Sequence, residues 1–385
     1  MFTLKNQTLA QTFCNLSNGL INEFSTFAAL LVTFLVNLLI FKSYWSANNK
    51  RLPPGPWGLP IFGHLPFFGQ SPPKTFARWR STYGNVFRIR LGSWKTVILN
   101  GYDVIKEAAD KGDDFSGRPG FVAQNITAAV RGAQSFAFGT FSEEYLCTRK
   151  MTTNALRMFT TNEKTGTQNL FIEEANTLAH MLVQKGVHHQ AISILGDIQY
   201  AVGSTIFQFL YGHENQINIK EELRKMIDRA NNFIDFTGNG NPFDVMPWLQ
   251  YVMPGRINEF KRLLDENTAI GKRQVNEHVA TFSGNNIRDM TDALLVADIG
   301  ENNHKGQKIT RSRLLATLTD LQGAGFDTTN KTLQWLILYM AAYPRFQRRV
   351  QKEIDDVIGI VSLYLYFAAV FIVDMVILRT LIYLL

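Results

Sequence analysis

Cysteine and histidine are scarce in this sequence, which limits the chemistry that its side chains can support. Two cysteines, Cys14 and Cys147, occur among 385 residues, so a disulfide framework and a zinc ribbon are both excluded. The seven histidines are scattered, and His188 and His189 form their only adjacent pair. We therefore interpret the histidines as core or surface residues and not as metal ligands.

Charged residues are also few, at 18% of the chain, and no basic run is dense enough to predict binding to nucleic acid. A hydrophobic content of 46% nevertheless excludes a disordered chain. Lysine and arginine exceed aspartate and glutamate by 39 − 32 = +7. This surplus suits an anionic membrane surface or an acidic protein partner.

Long apolar runs are rare, and together with a mean hydropathy of −0.06 this excludes a membrane protein of many spans. One such run covers residues 24–41, contains no charge and gains only Lys42 when it is extended to residue 45. About 20 residues at 1.5 Å each span a hydrocarbon core of about 30 Å. The run therefore predicts a transmembrane anchor at residues 24–45, with a buried core helix as the alternative.

The distribution of cations predicts the orientation of this anchor. Lys42, Lys50 and Arg51 follow the run, whereas Lys5 alone precedes it. The excess of positive charge on the cytoplasmic side of membrane segments then places residues 1–23 in the lumen and the body of the protein in the cytoplasm. Residues 46–63 come next and contain the motif LPPGP at 52–56. Proline excludes helix and central strand there, which predicts a stiff proline-rich hinge.

The body of the chain is predicted to be mainly α-helical, with a small β-sheet near its N-terminal end and no internal repeat. Residues 85–91 alternate between apolar and polar side chains, and residues 96–100 follow a glycine turn, so a β-hairpin is expected. Residues 102–110 have the pattern of a short helix. Helical periodicity then predominates up to residue 313, and the longer predicted helices span residues 143–159, 169–183, 191–211, 220–236 and 257–282.

The most informative helix begins after Thr310, a suitable N-cap, and extends to about residue 342. Its middle, LQGAGFDTT at 321–329, contains two glycines, which weaken a helix by about 1 kcal/mol each relative to alanine. Such glycines suit the close approach of something flat or bulky. Packing of another helix against them is the alternative, and the segment by itself favours neither.

Small side chains and two polar groups occur together in this segment. Leu321, Ala324 and Thr328 lie at i, i+3 and i+7 and therefore share one face of the helix, with Asp327 one step around it. A shallow surface that offers a hydroxyl and a carboxylate suits a planar cofactor and proton transfer to it.

These motifs together resemble the cytochrome P-450 family of haem-thiolate monooxygenases, specifically its membrane-anchored microsomal branch. AGFDTT at 324–329 is similar to the oxygen-activation motif of that family, LPPGP at 52–56 to its proline hinge, and YLCTRK at 145–150 to its propionate-binding helix. The resemblance covers about residues 51–359. Further segments point to the group that hydroxylates aromatic hydrocarbons, drugs and steroids, namely residues 112–119, 240–244 and 343–347.

The resemblance implies roles for individual residues. Asp327 and Thr328 would deliver protons during oxygen activation. Haem would be bound by Arg149, Tyr145, Ala324 and Gly325. A small apolar substrate would lie against a predicted loop at residues 121–135 and against four side chains: Phe121, Asn231, Phe233 and Leu321. Phe233 and Leu321 are equally well explained as packed core.

The resemblance also implies partners and a location. Haem is the expected cofactor, whereas NADPH and flavin are expected only on a partner reductase whose acidic face docks on the basic proximal side. The protein is then a single-pass protein of the endoplasmic reticulum membrane, with its catalytic domain in the cytoplasm. The lipid bilayer is a further partner, and nucleic acid is not.

The match ends before two parts of the family pattern, the Glu-x-x-Arg pair and the loop with the iron-ligating cysteine. Residues 64–359 are therefore interpreted as an incomplete monooxygenase domain without a metal ligand. Cys147 cannot supply the ligand, because it lies on the helix of Arg149 and not in a glycine-flanked loop. The chain as written is then expected to lack the carbon monoxide difference band of a thiolate-ligated haem.

The apolar tail at residues 360–385 contains only two charged residues, Asp374 and Arg379. A mis-spliced exon or a read-through intron is one explanation of this tail, and a second membrane segment is the other. Two functions stay open at this stage. The first is a microsomal monooxygenase whose C-terminal part is absent from the sequence, and the second is a non-catalytic, membrane-tethered binding or scaffold protein.

Overall fold

The computed structural model describes residues 31, 33, 34, 37, 38, 52–161, 167–186, 193–212, 219–237, 241–284, 286–299 and 309–358. The predicted lumenal segment, most of the predicted anchor and the tail at 360–385 lie outside these residues. The five described anchor residues are helical and exposed. No helix formed by the described residues is long and apolar enough to cross a membrane.

The described residues form two units. An N-terminal unit extends to Phe115 and includes Val245–Pro247, and a helical unit comprises Ser116–Asp244 and the described chain from Trp248 onwards. In the N-terminal unit, strands β1 (Val86–Leu91) and β2 (Trp94–Leu99) pair antiparallel, from Val86 opposite Leu99 to Leu91 opposite Trp94. The predicted hairpin is confirmed, although β2 begins two residues earlier than expected because Gly92, with φ of 56°, completes the turn with Ser93 alone.

A short 3-10 helix (Leu65–Phe67) and three described α-helices accompany this hairpin: α1 (Pro72–Tyr83), α2 (Tyr102–Asp110) and α3 (Gly112–Phe115). Helix α2 has the predicted bounds. Helix α1, which packs on β1, was not predicted. It begins at two prolines, which by sequence alone suggest a linker. Proline nevertheless suits the first turn of a helix, because the N–H groups of that turn have no partner within the helix.

The proline-rich segment is fixed to β1 by its backbone and by one histidine. The Arg88 N–H donates to the Pro54 carbonyl oxygen at 2.9 Å. The Arg90 N–H donates to Nδ1 of His64 at 2.9 Å, so the ring proton is on Nε2, which lies 2.9 Å from the Pro56 carbonyl oxygen. As predicted, residues 53–58 form neither helix nor strand.

The helical unit contains the remaining helices, in the order α4 (Val122–Arg131), α5 (Glu143–Thr161), α6 (Thr167–Gly186), α7 (Leu195–Tyr211), α8 (Ile219–Thr237), α9 (Pro242–Val245), α10 (Leu249–Val252), α11 (Pro254–Thr281), α12 (Met290–Ile299), α13 (Arg311–Ala342) and α14 (Pro344–Ile358). Helix α9 ends with Val245, the first residue of the short stretch that belongs to the N-terminal unit. The prediction of a mainly α fold with a small sheet is thus confirmed.

Helix α7 is the centre of the hydrophobic core of this unit. It packs against α6 and α13, while α5 packs along α12 and α11 contacts α4, α8 and α13. Fully buried side chains from these helices include Leu178, Ile198, Leu210, Leu294 and Leu318. Helix α13 therefore passes along the core, and the predicted site residues on it are placed by that packing.

The prediction of a loop at residues 121–135 is wrong, because most of this segment is the helix α4. Its apolar residues face α11, where Ala123, Ile126 and Val130 pack around Phe260. The sequence has no start signal for this helix, because its N-cap residue is Phe121, which gives no side-chain hydrogen bond to the first turn. Gly132 ends the helix with φ of 76°, the left-handed conformation common at helix C-termini.

Candidate functional site

Helix α13 has the predicted bounds and the predicted N-cap. The hydroxyl of Thr310 accepts a hydrogen bond from the Arg313 N–H at 3.2 Å. From Leu314 to Leu321 most of the side chains are buried, as are Gly325 and Phe326. The site residues thus stand on a helix whose first two thirds are fixed by the core.

Gly323 lies beside open space. A Cβ built on this residue would have no neighbouring heavy atom within 4 Å among the described residues, apart from the backbone of its own helix. No described helix therefore packs on Gly323, and close helix packing does not explain this glycine. Ala324, the next residue, is half-buried. The surface next to both residues can accept a flat group.

Thr328 and Asp327 differ in their hydrogen bonding. The Thr328 hydroxyl donates to the carbonyl oxygen of Ala324 at 2.6 Å, one turn earlier in the helix. Its proton is therefore engaged, and the oxygen can still accept a hydrogen bond. Asp327 is half-buried and has no hydrogen bond or ion pair with the described part of the chain. The segment thus offers one acceptor hydroxyl and one carboxylate that receives no hydrogen bond from the described residues.

Asp320, one turn before Ala324, is a buried acid that sequence reasoning missed. Its Oδ1 atom lies 3.3 Å from Nη1 of Arg131. Its Oδ2 atom accepts from the Ser135 hydroxyl at 2.7 Å, from the Phe136 N–H at 2.8 Å and from the Ala137 N–H at 3.3 Å. The available signal was an ionisable residue at the end of the apolar stretch 314–321.

Tyr145 and Arg149 lie on α5 and are half-buried. The ring of Tyr145 packs against Phe141 with centroids 5.7 Å apart. Helix α5 is joined to α13 through Arg313, which forms an ion pair with Glu144 and donates to the Thr148 hydroxyl at 3.2 Å. Burial lowers the pKa of Arg313.

These contacts with Arg313 place the first turns of α5 beside the start of α13. Ala324 lies eleven residues further along α13, which is about 16 Å along the helix axis. Tyr145 and Arg149 are therefore in the same unit as the AGFDTT segment. The contacts that join their helix to α13 lie at the N-terminal end of α13.

The four predicted substrate residues lie in different places. Leu321 is part of the main core. Phe233 packs against Phe260, with centroids 5.9 Å apart, in the small cluster that also contains residues of α4. Phe121 is the N-cap residue of α4, and Asn231 is half-buried on α8. The structure thus brings α4 and α8 together around Phe260, and it places Leu321 in separate packing.

A groove of about 500 Å³ is present elsewhere in the helical unit. It is lined by residues of α6, α7 and α8, including Met181, Tyr200, Arg224 and Ile227. No residue of α13 contributes to this groove. Its mixed apolar and charged lining indicates no particular ligand, and it is not part of the candidate site.

The described residues fit one side of a haem and not the other. Open space beside Gly323 could accept a planar ring, and Arg149 is a donor suited to a carboxylate. The only cysteine in the described ranges, Cys147, is exposed on α5. No group of three or more His, Cys, Asp and Glu side chains in these ranges could hold a metal ion. Because Cys147 lies on a helix and not in a glycine-flanked loop, it does not match the loop cysteine that binds iron in the resembled family.

Comparisons with known proteins give the family. The sequence model of the cytochrome P450 family matches residues 53–377, past residue 359, where the resemblance ends in the sequence analysis. Cytochrome P450 1A1 of Macaca mulatta is 31% identical over 347 residues, which are 85% of this chain and 67% of that protein. Cytochrome P450 1A1 of Rattus norvegicus is 32% identical over 329 residues, or 82% of this chain and 61% of that protein.

A solved structure of a zebrafish cytochrome P450 with progesterone has the same fold, with a TM-score of 0.62 and 21% sequence identity. The match covers 76% of this chain and 65% of that one. The chain thus spans about two thirds of the length of the relatives that it matches. The family predicted from the central helix and the proline hinge is confirmed, and the chain belongs to the cytochrome P450 family.

Proposed function

We propose that this chain is a haem-dependent monooxygenase of the microsomal type, which inserts one oxygen atom of O₂ into a C–H bond of a small apolar substrate. The second oxygen atom leaves as water, with two electrons from NADPH and two protons. The observation that supports this proposal most is the segment 323–328 of α13. It combines open space beside Gly323 with an acceptor hydroxyl on Thr328 and with the Asp327 carboxylate, which has no partner among the described residues.

Haem supplies the oxygen chemistry of this family when it is bound through a cysteine thiolate. In this chain the half-buried Ala324 would support the flat face of the ring, whereas Gly325, which was expected to share this role, is buried. Arg149 and Tyr145 would bind its propionates, since a guanidinium offers a fixed set of donors to a carboxylate and a phenol offers one more.

Thr328 and Asp327 would control protons at this site. Because the Thr328 hydroxyl already donates to Ala324, its free lone pairs would orient a water molecule by accepting a hydrogen bond from it. The Asp327 carboxylate is one residue further back on the helix and has no donor of its own in the described ranges. It would pass protons between that water and the solvent.

The substrate is proposed to be small and apolar. Cluster residues of α4, α8 and α11 are aromatic or aliphatic. Phe121, Asn231 and Phe233 are the proposed contacts, whereas Leu321 packs in the separate main core. The zebrafish relative was solved with progesterone, an apolar steroid. A compound of this class would be held mainly by apolar contacts, with Asn231 as a polar group for orientation.

Electrons are proposed to come from an NADPH-dependent flavoprotein reductase with an acidic face. Helix α14 presents four exposed cations, namely Arg345, Arg348, Arg349 and Lys352. Complementary charge speeds association and orients the partners. The protein would be anchored in the endoplasmic reticulum membrane by one span at residues 24–45.

A haem titration of the chain tests this proposal, because uptake is measured from the absorbance of the bound haem. We expect wild-type protein to bind haem, and Gly323→Leu to weaken binding about tenfold or more by filling the open space. Gly255→Leu on α11 is the matched control, since a Cβ at Gly255 also meets nothing within 4 Å.

Equal haem affinity in Gly323→Leu and wild type would contradict the placement of the cofactor. No uptake by the wild-type chain would instead favour the non-catalytic scaffold. A carbon monoxide difference spectrum then reports on the axial ligand. A thiolate band that persists in Cys147→Ala would exclude Cys147 as its source.

A further inference from the structure

Asp289 is a buried acid at the start of α12 that joins this helix to the end of α11. Its side chain is 1% exposed, and that of its partner His278 is 7% exposed. Oδ1 accepts a hydrogen bond from the Asp292 N–H at 3.0 Å and thereby caps α12. Oδ2 lies 2.8 Å from Nε2 of His278, in the last turn of α11. The two oxygen atoms of one carboxylate thus bind two helices.

The end of α7 meets the same carboxylate. A Cβ on Gly212, the residue that follows α7, would lie 3.0 Å from Oδ2 of Asp289. The Thr291 hydroxyl donates to the Leu210 carbonyl oxygen at 2.6 Å, which satisfies one of the acceptors that the end of a helix leaves without a partner in the helix. Three helix ends therefore meet at Asp289.

The hydrogen bonds of His278 require one extra proton on the pair that it forms with Asp289. Nδ1 lies 2.8 Å from the Gln274 carbonyl oxygen, and Nε2 faces the carboxylate. A carbonyl oxygen and a carboxylate both accept, whereas a neutral imidazole has a single N–H. Without the extra proton, a lone pair of the ring would face a negative oxygen inside the protein, where such a contact is costly. The junction is therefore weakened when the pair loses this proton.

The other polar groups around the ring do not replace this proton. On α12, Asp292 adds negative charge near the ring, and its Oδ2 atom lies 2.6 Å from Nε of Arg288. The ring of Tyr211 on α7 lies 6.3 Å from that of His278, and burial raises the pKa of this phenol, so it stays neutral. Two further charged groups lie close by in the described chain, namely Glu277 next to His278 on α11 and Arg311 of α13, which donates to the Asn276 side chain at 3.2 Å.

Helix α12 links this junction to the proposed cofactor site through α5, along which it packs. Its side chains Met290 and Leu294 are fully buried in the main core, where Ala155 and Phe159 of α5 are also buried. Ala155 is six residues after Arg149, which is about 9 Å along the helix axis. The helix that carries the proposed propionate ligand therefore packs along an element whose first turn is fixed by Asp289.

We infer that Asp289 and His278 are positioning residues, which hold α12 against α5 and make the haem affinity of the site depend on pH. The haem part of this inference rests on the proposed function, whereas the attachment of α12 depends only on the contacts of the pair. Because the intact junction requires the extra proton, haem affinity should fall as the pH rises through the pKa of His278 in the folded protein.

Amide hydrogen exchange measured by mass spectrometry tests the attachment without cofactor. We expect Asp289→Ala to increase exchange of residues 292–298 about tenfold or more, because it removes both the cap of α12 and the partner of His278. His278→Ala should cause a smaller increase, since it leaves the cap in place. Thr177→Ala on α6 is the control, because its exposed hydroxyl donates within its own helix, to the Glu173 carbonyl oxygen at 2.9 Å.

A purely global loss of stability would raise exchange in α6 as well as in residues 292–298. We expect α6 to keep its protection in His278→Ala, which also serves if Asp289→Ala does not fold. Unchanged exchange of residues 292–298 in His278→Ala and in folded Asp289→Ala would overturn the inference, and so would equal increases in α6 and in residues 292–298.

Haem titration over a range from about pH 6 to about pH 9 tests the pH dependence. Asp289→Asn is the matched variant, because its carbonyl oxygen can still cap α12 and its amide can donate to Nε2 of a neutral imidazole. We expect the ratio of the wild-type Kd to the Asp289→Asn Kd to rise several-fold with pH over this range. A constant ratio would overturn the link between the junction and the cofactor site. If wild-type protein takes up no haem at any pH, the proposed function fails by itself, and the exchange result still decides whether Asp289 holds α12.

Discussion

The two parts of α13 are both rich in apolar residues but have different surroundings. Between Leu314 and Leu333 every turn contributes buried side chains, and Phe326 is only 2% exposed. Beyond Leu333, Trp335 is 57% exposed and Tyr339 is 52% exposed in the described part of the chain. The difference shows that an apolar helix pattern predicts burial only where other elements are available to cover it.

The exposed part is not without order, because its aromatic rings pack on one another. Trp335 and Tyr339 have centroids 5.9 Å apart, and Tyr339 and Tyr343 are stacked at 6.0 Å. Phe346 on α14 continues the series, 6.3 Å from Tyr343. Spacing of four residues brings side chains together on a helix surface, which limits their contact with water. This aromatic row stabilises the end of α13 less than full burial would.

The largest difference in stability between the two parts of α13 is expected when an aromatic side chain in each is truncated to alanine. Phe326→Ala should lower the free energy of unfolding by about 3–5 kcal/mol, because it leaves a cavity in the core. Trp335→Ala should lower it by less than about 1 kcal/mol, because that ring is largely in water already. Denaturant titration of both variants gives the two values. Equal losses would show that the C-terminal part of α13 is as well packed as the first.

Two glycines in contacting helices provide a second comparison, in which the same substitution should change the free energy of unfolding in opposite directions. A Cβ on Gly271 of α11 would lie 2.6 Å from Cδ1 of the buried Leu315, so Gly271→Leu should cost about 1–3 kcal/mol or more through overpacking. Gly323→Leu meets open space and should gain up to about 1 kcal/mol from better helix propensity. Thermal unfolding measures both. A destabilised Gly323→Leu would mean that the space beside this residue is filled.

A buried histidine, His278, should make the stability of the packed region depend on pH. Nε2 of His278 lies 2.8 Å from Asp289, and Nδ1 lies 2.8 Å from the Gln274 carbonyl oxygen, so both nitrogens face acceptors. Burial by itself lowers the pKa of His278. The hydrogen bond and charge of Asp289 outweigh that effect, and the pKa is raised above its ordinary value.

A raised pKa means that the folded protein binds this proton more tightly than the unfolded chain. The resulting stabilisation is complete below the unfolded pKa of about 6.5 and is lost as the pH rises through the folded value. We expect the melting temperature of wild type minus that of His278→Gln to decrease with rising pH over this range. His180→Gln, which changes an exposed histidine, is the control. A flat difference for His278→Gln would indicate a neutral ring.

The sequence was sufficient for the parts of the fold that depend on local patterns. Helix α13 was predicted from its N-cap at Thr310 and from its periodicity, and the hairpin from alternation around Gly92. Helix α4 was missed because its signal is tertiary: its apolar residues become interpretable only when Phe260 of α11 is placed beside them.

The same distinction applies to the candidate site. Thr328 and Asp327 are neighbours in the sequence and were found together. Asp320 and Ser135 are separated by 185 residues, and no local pattern joins them. Packing of α4 against α11 and α13 brings these two residues into contact, so the hydrogen bonds of Asp320 to residues 135–137 could be found only in the structure.

The attachment of the proline-rich segment has a mechanical consequence. Gly55 and Gly63 each pass so close to carbonyl oxygens of β1 that a Cβ would overlap them, and the ring of His64 fills the position that a Cβ on Gly58 would occupy. The segment is therefore joined to β1 by hydrogen bonds at Pro54 and at His64. A force that pulls on the chain at Leu52 would therefore act first on the hydrogen bonds that the segment forms with the backbone of Arg88 and Arg90. An unattached linker would extend before it transmitted such a force.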